Sequence, residues 1–188
     1  MSTLVVDELS GSAGSNHLIT MDRGRTLYAP GHVIQTVWRK FDQHATYAAY
    51  NDNVSRQISG LDATITLKRS NSMVYCQWWL FYESHHDITF QAQRNSTVIG
   101  FNNEVGNVRW SGIGAAEYEH SFDLASTPSY LHMCYVDFPG TVGPHTYSLG
   151  CRASAGTNYD LRVNRSYSSF SDSYEAGVSW VVIEEIAQ

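Results

Sequence analysis

The chain has 188 residues, of which 16% are charged and 43% hydrophobic, with a formal net charge of −6 and 12 Tyr and 5 Trp. That length builds one domain with a sizeable core, and the charged fraction falls below the usual quarter. An acidic balance with no run of Lys or Arg excludes a binder of the phosphate backbone. No apolar stretch approaches a membrane span, so neither nucleic acid nor membrane insertion is expected.

Residues 1–30 hold two short apolar pieces, Leu4-Val5-Val6 and Leu18-Ile19-Thr20, separated by Gly11-Ser12-Ala13-Gly14-Ser15. This is too little apolar surface, too broken by Gly, to fold alone. The segment is expected to be a partner-anchoring arm. Leu4, Val5, Val6, Leu18 and Ile19 would be its anchors, adding a strand to a sheet edge on a partner or a sister subunit. The bland alternative is a frayed terminus. The first residues carry neither the basic start nor the apolar core of a secretory leader.

After Pro30-Gly31, residues 31–188 carry strand candidates every ten to fifteen residues. They fall at 32–38, 62–68, 74–82, 88–94, 96–101, 117–122, 130–137, 145–151, 160–164 and 178–183, with Gly, Pro and Asn between them. Tyr147, Leu149 and Cys151 alternate with Thr146, Ser148 and Gly150, the period of a half-buried strand. The run from Val178 to Ile183 is nearly continuous and apolar, as for a strand covered on both faces. Residues 38–54 read as a short helix or an irregular loop. The rhythm predicts an all-β fold: an antiparallel β-sandwich of jelly-roll type, with an extended N-terminal arm.

Few residues suggest chemistry. His85-His86-Asp87 puts two imidazoles beside a carboxylate, but adjacent strand residues point to opposite faces, so a polar loop is the expectation. A metal shared on a symmetry axis is the one way this region would bind an ion. Glu117 and Glu119 share a face, and Glu184 and Glu185 do not. There is no Gly-x-Ser-x-Gly elbow and no His-Glu-x-x-His, so no enzyme activity and no cofactor are expected. Cys76, Cys134 and Cys151 are odd in number and widely spaced, and read as three buried thiols.

The aromatics carry more. Trp78 and Trp79 are neighbours in one strand candidate, so one ring faces the core and the other faces out. Both are interface candidates, because a large bare aromatic surface calls for a partner. Trp110 lies among Gly106, Gly112 and Gly114 and is a candidate for surface recognition.

The order of several short pieces is similar to a known family. These are Asp137 and Pro139, Thr146-Tyr147, Asn164-Arg165-Ser166, Gly177-Val178-Ser179 and Glu185-Ile186-Ala187, with the opening from Ser2 to Leu9 and the run from Gly31 to Val37. Together they resemble the C-terminal domain of bacteriophage tail-fibre and virion-appendage proteins of the cyanophage type. The resemblance covers both ends of the chain and little of residues 70–130. It implies a non-enzymatic virion protein assembled in the host cytoplasm, a homotrimer held to other virion proteins by its arm. A short tail or baseplate fibre, or a receptor-binding knob touching a host-surface glycan, is the first expectation. A capsid decoration protein is the second, and a free lectin-like module the third.

Overall fold

A computed structural model describes residues 29–49, 54–84, 86–99, 112–116, 127–153, 158–166 and 175–188. The arm candidates Leu4, Val5, Val6, Leu18 and Ile19 lie outside the described residues, as do His85, Trp110, Glu117 and Glu119.

The described elements are all strands: β1 (Val33–Phe41), β2 (Ala45–Ala49), β3 (Arg56–Leu67), β4 (Met73–Ser84), β5 (Ile88–Arg94), β6 (Thr97–Val98), β7 (Gly114–Ala115), β8 (Ser129–Asp137), β9 (Gly143–Ala153), β10 (Tyr159–Val163) and β11 (Ser179–Ile186). Their antiparallel pairings are nested. β1 pairs with β11, β3 with β9, β4 with β8, and β5 with β6 and β7. Cross-pairing of β11 with β4 and of β9 with β5 rolls this ribbon into two sheets. Each sheet is four strand positions wide: β1/β2, β11/β10, β4, β8 in the first, and β3, β9, β5, β6/β7 in the second. This is the jelly roll that the strand rhythm predicts.

The first sheet has a seam. β11 pairs with β4 from Met73 to Trp79, and β10 pairs with the same strand from Tyr82 to Ser84. One strand position is therefore filled by two separate chain segments, and β1 and β2 follow them on the outside. Asn164 closes the gap. It is fully buried and sits at φ 61, a left-handed conformation that Asn tolerates better than most residues. Its Nδ2 donates to the carbonyls of Phe41 (2.8 Å) and Gln43 (3.0 Å), and its Oδ1 accepts from Ser179 Oγ (2.7 Å). Ser179 Oγ accepts in turn from the N–H of Phe81. The side chains thus supply the bonds that a broken ladder lacks.

Burial follows the period of two. Val74, Cys76, Trp78 and Leu80 are completely buried, and Tyr75, Gln77, Trp79 and Phe81 between them are half-buried. Ile58, Leu61, Ile65, Phe90, Leu149, Leu161 and Ile183 complete the interior from the other strands. Each such side chain contributes about 1.5–3 kcal/mol through removal from water. Glu185 faces inward at the rim of this core with no exposure. Its carboxylate accepts from the N–H groups of Lys68 and Arg69, from Ser72 Oγ (2.7 Å) and from Gln35 Nε2. It thereby ties the β3–β4 turn to the last strand.

Four expectations change. β11 is not covered on both faces: Ser179, Val181, Ile183 and Glu185 are buried, and Trp180, Val182, Glu184 and Ile186 are half-buried. Its apolar run reflects an aromatic outer surface rather than a second covering layer. β9 departs the opposite way, since Ser148 and Arg152 on its outer face are buried. There Gln93 accepts from Ser148 Oγ (3.1 Å) and donates to Ser55 (3.1 Å). A Cβ on Gly150 would collide with both Ser55 and Gln93, so only glycine lets Ser55 lie this close to the sheet. In the segment expected at 38–54 to be a short helix or an irregular loop, the described residues are largely strand, because β1 runs to Phe41 and β2 occupies Ala45–Ala49. Finally, Cys134 is exposed whereas Cys76 and Cys151 are buried. Met133 takes the inward place beside it, and alternation turns the thiol out.

Candidate functional site

The outer face of the first sheet is built by register. Residues directly opposite one another in adjacent strands share a face, and the pairings line them up in rows. One row is Thr36, Glu184, Tyr75 and Val136. The next is Trp38, Val182, Gln77 and Cys134. The third is Lys40, Trp180, Trp79 and His132, and Phe81 and Tyr130 follow. The strand and residue spacings make this a surface about 15 Å wide and about 20 Å long.

Two charges stand in these rows, Lys40 and Glu184. Lys40 is engaged by Asp42 at 2.9 Å, and its ammonium holds that carboxyl below the usual carboxylate range. The rest is aromatic, aliphatic or neutral. Trp38 is 64% exposed, Tyr130 55% and Val136 40%. The rings lie against one another: Trp79 stacks on His132 with centroids 4.6 Å apart and planes 10° apart, and Trp38 packs against Trp180 at 5.9 Å. A hydrogen bond to Cys134, with burial, pushes the Tyr75 phenol up, and burial does the same to Tyr130. Both phenols therefore stay neutral at working pH. Scattered exposed apolar residues need no explanation, but a contiguous flat platform of this kind is the signature of an interaction surface.

The tandem tryptophans divide as their adjacency requires. Trp79 faces out into this platform. Trp78 is inside the sandwich, fully buried, with its Nε1 donating to the Leu61 carbonyl at 3.2 Å. As an interface candidate Trp78 is corrected to a core residue, since the inward parity of β4 leaves it no route to the surface. Trp38, Trp180, His132, Tyr130 and Val136 were not singled out from sequence. They lie on three different strands, and only the cross-strand register brings them together.

Several other polar groups of the described residues are engaged in structure. Asp137 accepts from Tyr147 Oη (2.7 Å) and from Arg94 Nη1 (2.6 Å), closing one end of the sandwich. Burial, aided by the bond to Asp137, pushes the Tyr147 phenol far up, so it holds its proton and is a poor acid. His86 stacks on Tyr159 at 3.8 Å. Among the described residues no three His, Cys, Asp or Glu side chains gather as a metal would require. Glu184 and Glu185 face opposite sides of β11.

No family model matches the chain, and no curated protein matches it. Among solved structures, the chain is similar to one from the infectious bursal disease virus Gt strain, with a TM-score of 0.41 and 12% identity over 91% of this chain and 42% of that one. It is likewise similar to the infectious bursal disease virus VP2 subviral particle, with a TM-score of 0.38 and 12% identity over the same shares. The chain thus spans less than half the length of these structural neighbours.

Proposed function

We propose that the chain is a non-enzymatic structural protein of a bacteriophage particle, a homotrimeric surface appendage held by residues 1–30. The observation that carries this reading is the platform of Trp38, Trp180, Trp79, His132 and Tyr130 on the outer face of the first sheet. Burying such a surface gains about 25 cal/mol for each Å² of apolar area removed from water, and its near absence of charge keeps the desolvation cost small. Three copies apposing these faces would account for the low charge and high aromatic content of the chain. The virion assignment is supported by the resemblance of the two ends of the chain to phage appendage proteins. The jelly-roll architecture is compatible with it, as it serves viral shell and lectin domains alike.

Within this reading, a short tail or baseplate fibre with a host-surface glycan as ligand stands first. Three equal sites on one knob, and many knobs on one particle, turn weak contacts into firm attachment. A capsid decoration protein stands second, with the arm clamping shell subunits and the domain facing outward. Immunogold electron microscopy of purified particles with antibody against residues 31–188 separates them. Label at the tail end supports the fibre, and label over the head supports decoration. Particles without label would refute the virion reading and leave a free lectin-like module.

A further inference from the structure

A sheet edge presents a row of free N–H and C=O groups, and proteins that do not use an edge protect it with charges, bulges or shortness. Among the described strands the edges other than β8 are short or carry such devices, and β2, outermost beside β10, has only five residues. β6 and β7 are two residues each. β3 breaks register between Gln57 and Asp62, with Gly60 at φ 96 and Asp62 paired to Arg39. β1 breaks register between Val33 and Gln35 and carries Arg39 and Lys40 near its end.

β8 has none of these devices. It is nine residues long and pairs with β4 in unbroken register from Ser129 to Asp137. It contains no Pro, Gly, Lys, Arg or Glu. Its one charge, Asp137, is terminal and already held by Arg94 and Tyr147. Among the described strands it has a neighbour on one side alone. Its inward residues Leu131 and Tyr135 pack on the core yet stay half-buried, so the interior is left partly open along this edge.

We infer that β8 accepts a strand from the N-terminal arm of a neighbouring copy. The inference rests on the trimer proposed above and names the contact that locks it. Residues 1–28 precede the described chain, and their apolar pieces, Leu4-Val5-Val6 and Leu18-Ile19-Thr20, are uncharged and rich in strand formers. Such a segment gains ladder bonds from an open edge and lays every second side chain over Leu131 and Tyr135. The chain enters the fold at Gly31-His32, pinned to the last strand by Gly31 N–H to Ala187 O (2.7 Å) and Ala187 N–H to His32 O (2.9 Å). That entry is at the end of the sandwich where β8 finishes, because Val33 pairs with Ile186, Ile186 with Met73, and Asp137 with Val74. It is also on the edge opposite β8. An arm leaving there starts on the side where a neighbour in a ring presents its own β8, so each copy gives one arm and receives one. An extended chain of that length reaches about 90 Å, well beyond the next subunit.

The exposed Cys134 makes β8 its own reporter, since Cys76 and Cys151 are buried. In the full-length chain, Leu4→Cys, Val5→Cys, Val6→Cys, Leu18→Cys and Ile19→Cys are each treated with a mild oxidant and run on non-reducing gels beside the unaltered chain. The expected result is disulfide-linked dimers and trimers from substitutions within one arm piece, abolished by Cys134→Ser. In native hydrogen exchange, the amides of β8 should be as slow as those of β4. Linked dimers in an unaltered chain that native mass spectrometry shows to be dimeric would mean that β8 pairs with a second β8, and would overturn the inference. So would a fast-migrating linked monomer, which places the arm on its own domain. A chain that native mass spectrometry shows to be trimeric, yet without linkage and with fast β8 amides, would overturn the inference and leave the trimer standing. A monomer without linkage would remove both.

Discussion

Asn164→Ala should be among the most destabilising polar substitutions in the molecule. The amide makes three hydrogen bonds, to Phe41 O, Gln43 O and Ser179 Oγ, at a fully buried position. Losing three bonds costs about 1 kcal/mol each, and leaving buried partners unsatisfied raises the total. Alanine also pays about 1 kcal/mol to hold the left-handed backbone. The expected loss is therefore about 4 kcal/mol, a large share of the 5–15 kcal/mol typical of a domain. For a chain of this length that lowers Tm by about 10 °C. Urea unfolding followed by tryptophan fluorescence measures it directly. Asn164→Gly separates the contributions, because glycine accepts this backbone freely: it should recover about 1 kcal/mol relative to alanine. Asn164→Asp should be no better than alanine, because it sets a carboxylate against two carbonyl oxygens. A loss below about 1 kcal/mol for Asn164→Ala would show that the seam between β10 and β11 closes without this side chain.

Glu185→Gln replaces an acceptor facing four donors with a group that must present a donor to one of them, and is expected to cost about 2 kcal/mol in thermal unfolding. An unchanged Tm would refute the tie between the β3–β4 turn and β11. In the native chain a thiol reagent at pH 8 should modify neither Cys76 nor Cys151, and all three cysteines after denaturation. Burial pushes the Cys151 thiol from its ordinary 9.0 up to about 12, and pushes Cys76 up as well. The folded state thus holds these protons more tightly than the unfolded one. Their contribution is complete below pH 9 and is lost as pH rises toward 12, so urea midpoints should fall across that window. Trp38→Lys, at a 64% exposed site, should leave the unfolding transition of the domain nearly unchanged while weakening self-association, as read by sedimentation velocity.

Much of the fold is legible in the sequence because strands announce themselves by alternation and by the turn formers between them. The candidates at 88–94 and 130–137 match β5 and β8 to within a residue. Periodicity fails where a face is covered by something other than the opposing sheet. Ser148 reads as solvent-facing, yet it is buried on the outer side of β9. It fails again in the run at 178–183, where apolar residues on both faces serve a core on one side and the aromatic platform on the other. The seam was half visible. Asn164-Arg165-Ser166 and Gly177-Val178-Ser179 stood out as segments, but that Asn164 and Ser179 bond to each other is a fact of tertiary structure. The site was half visible too. Adjacency alone requires one of Trp78 and Trp79 to face outward. Choosing Trp79, and gathering Trp38, Trp180 and His132 around it, takes a register that no local pattern encodes.

Sedimentation equilibrium on the full-length chain tests the central claim most directly, because a platform of stacked aromatics with so little charge is expected to be covered by another copy. The account predicts a single species of three times the 21.1 kDa chain mass that persists at low micromolar concentration. A monomer at those concentrations, with the domain folded, would contradict it.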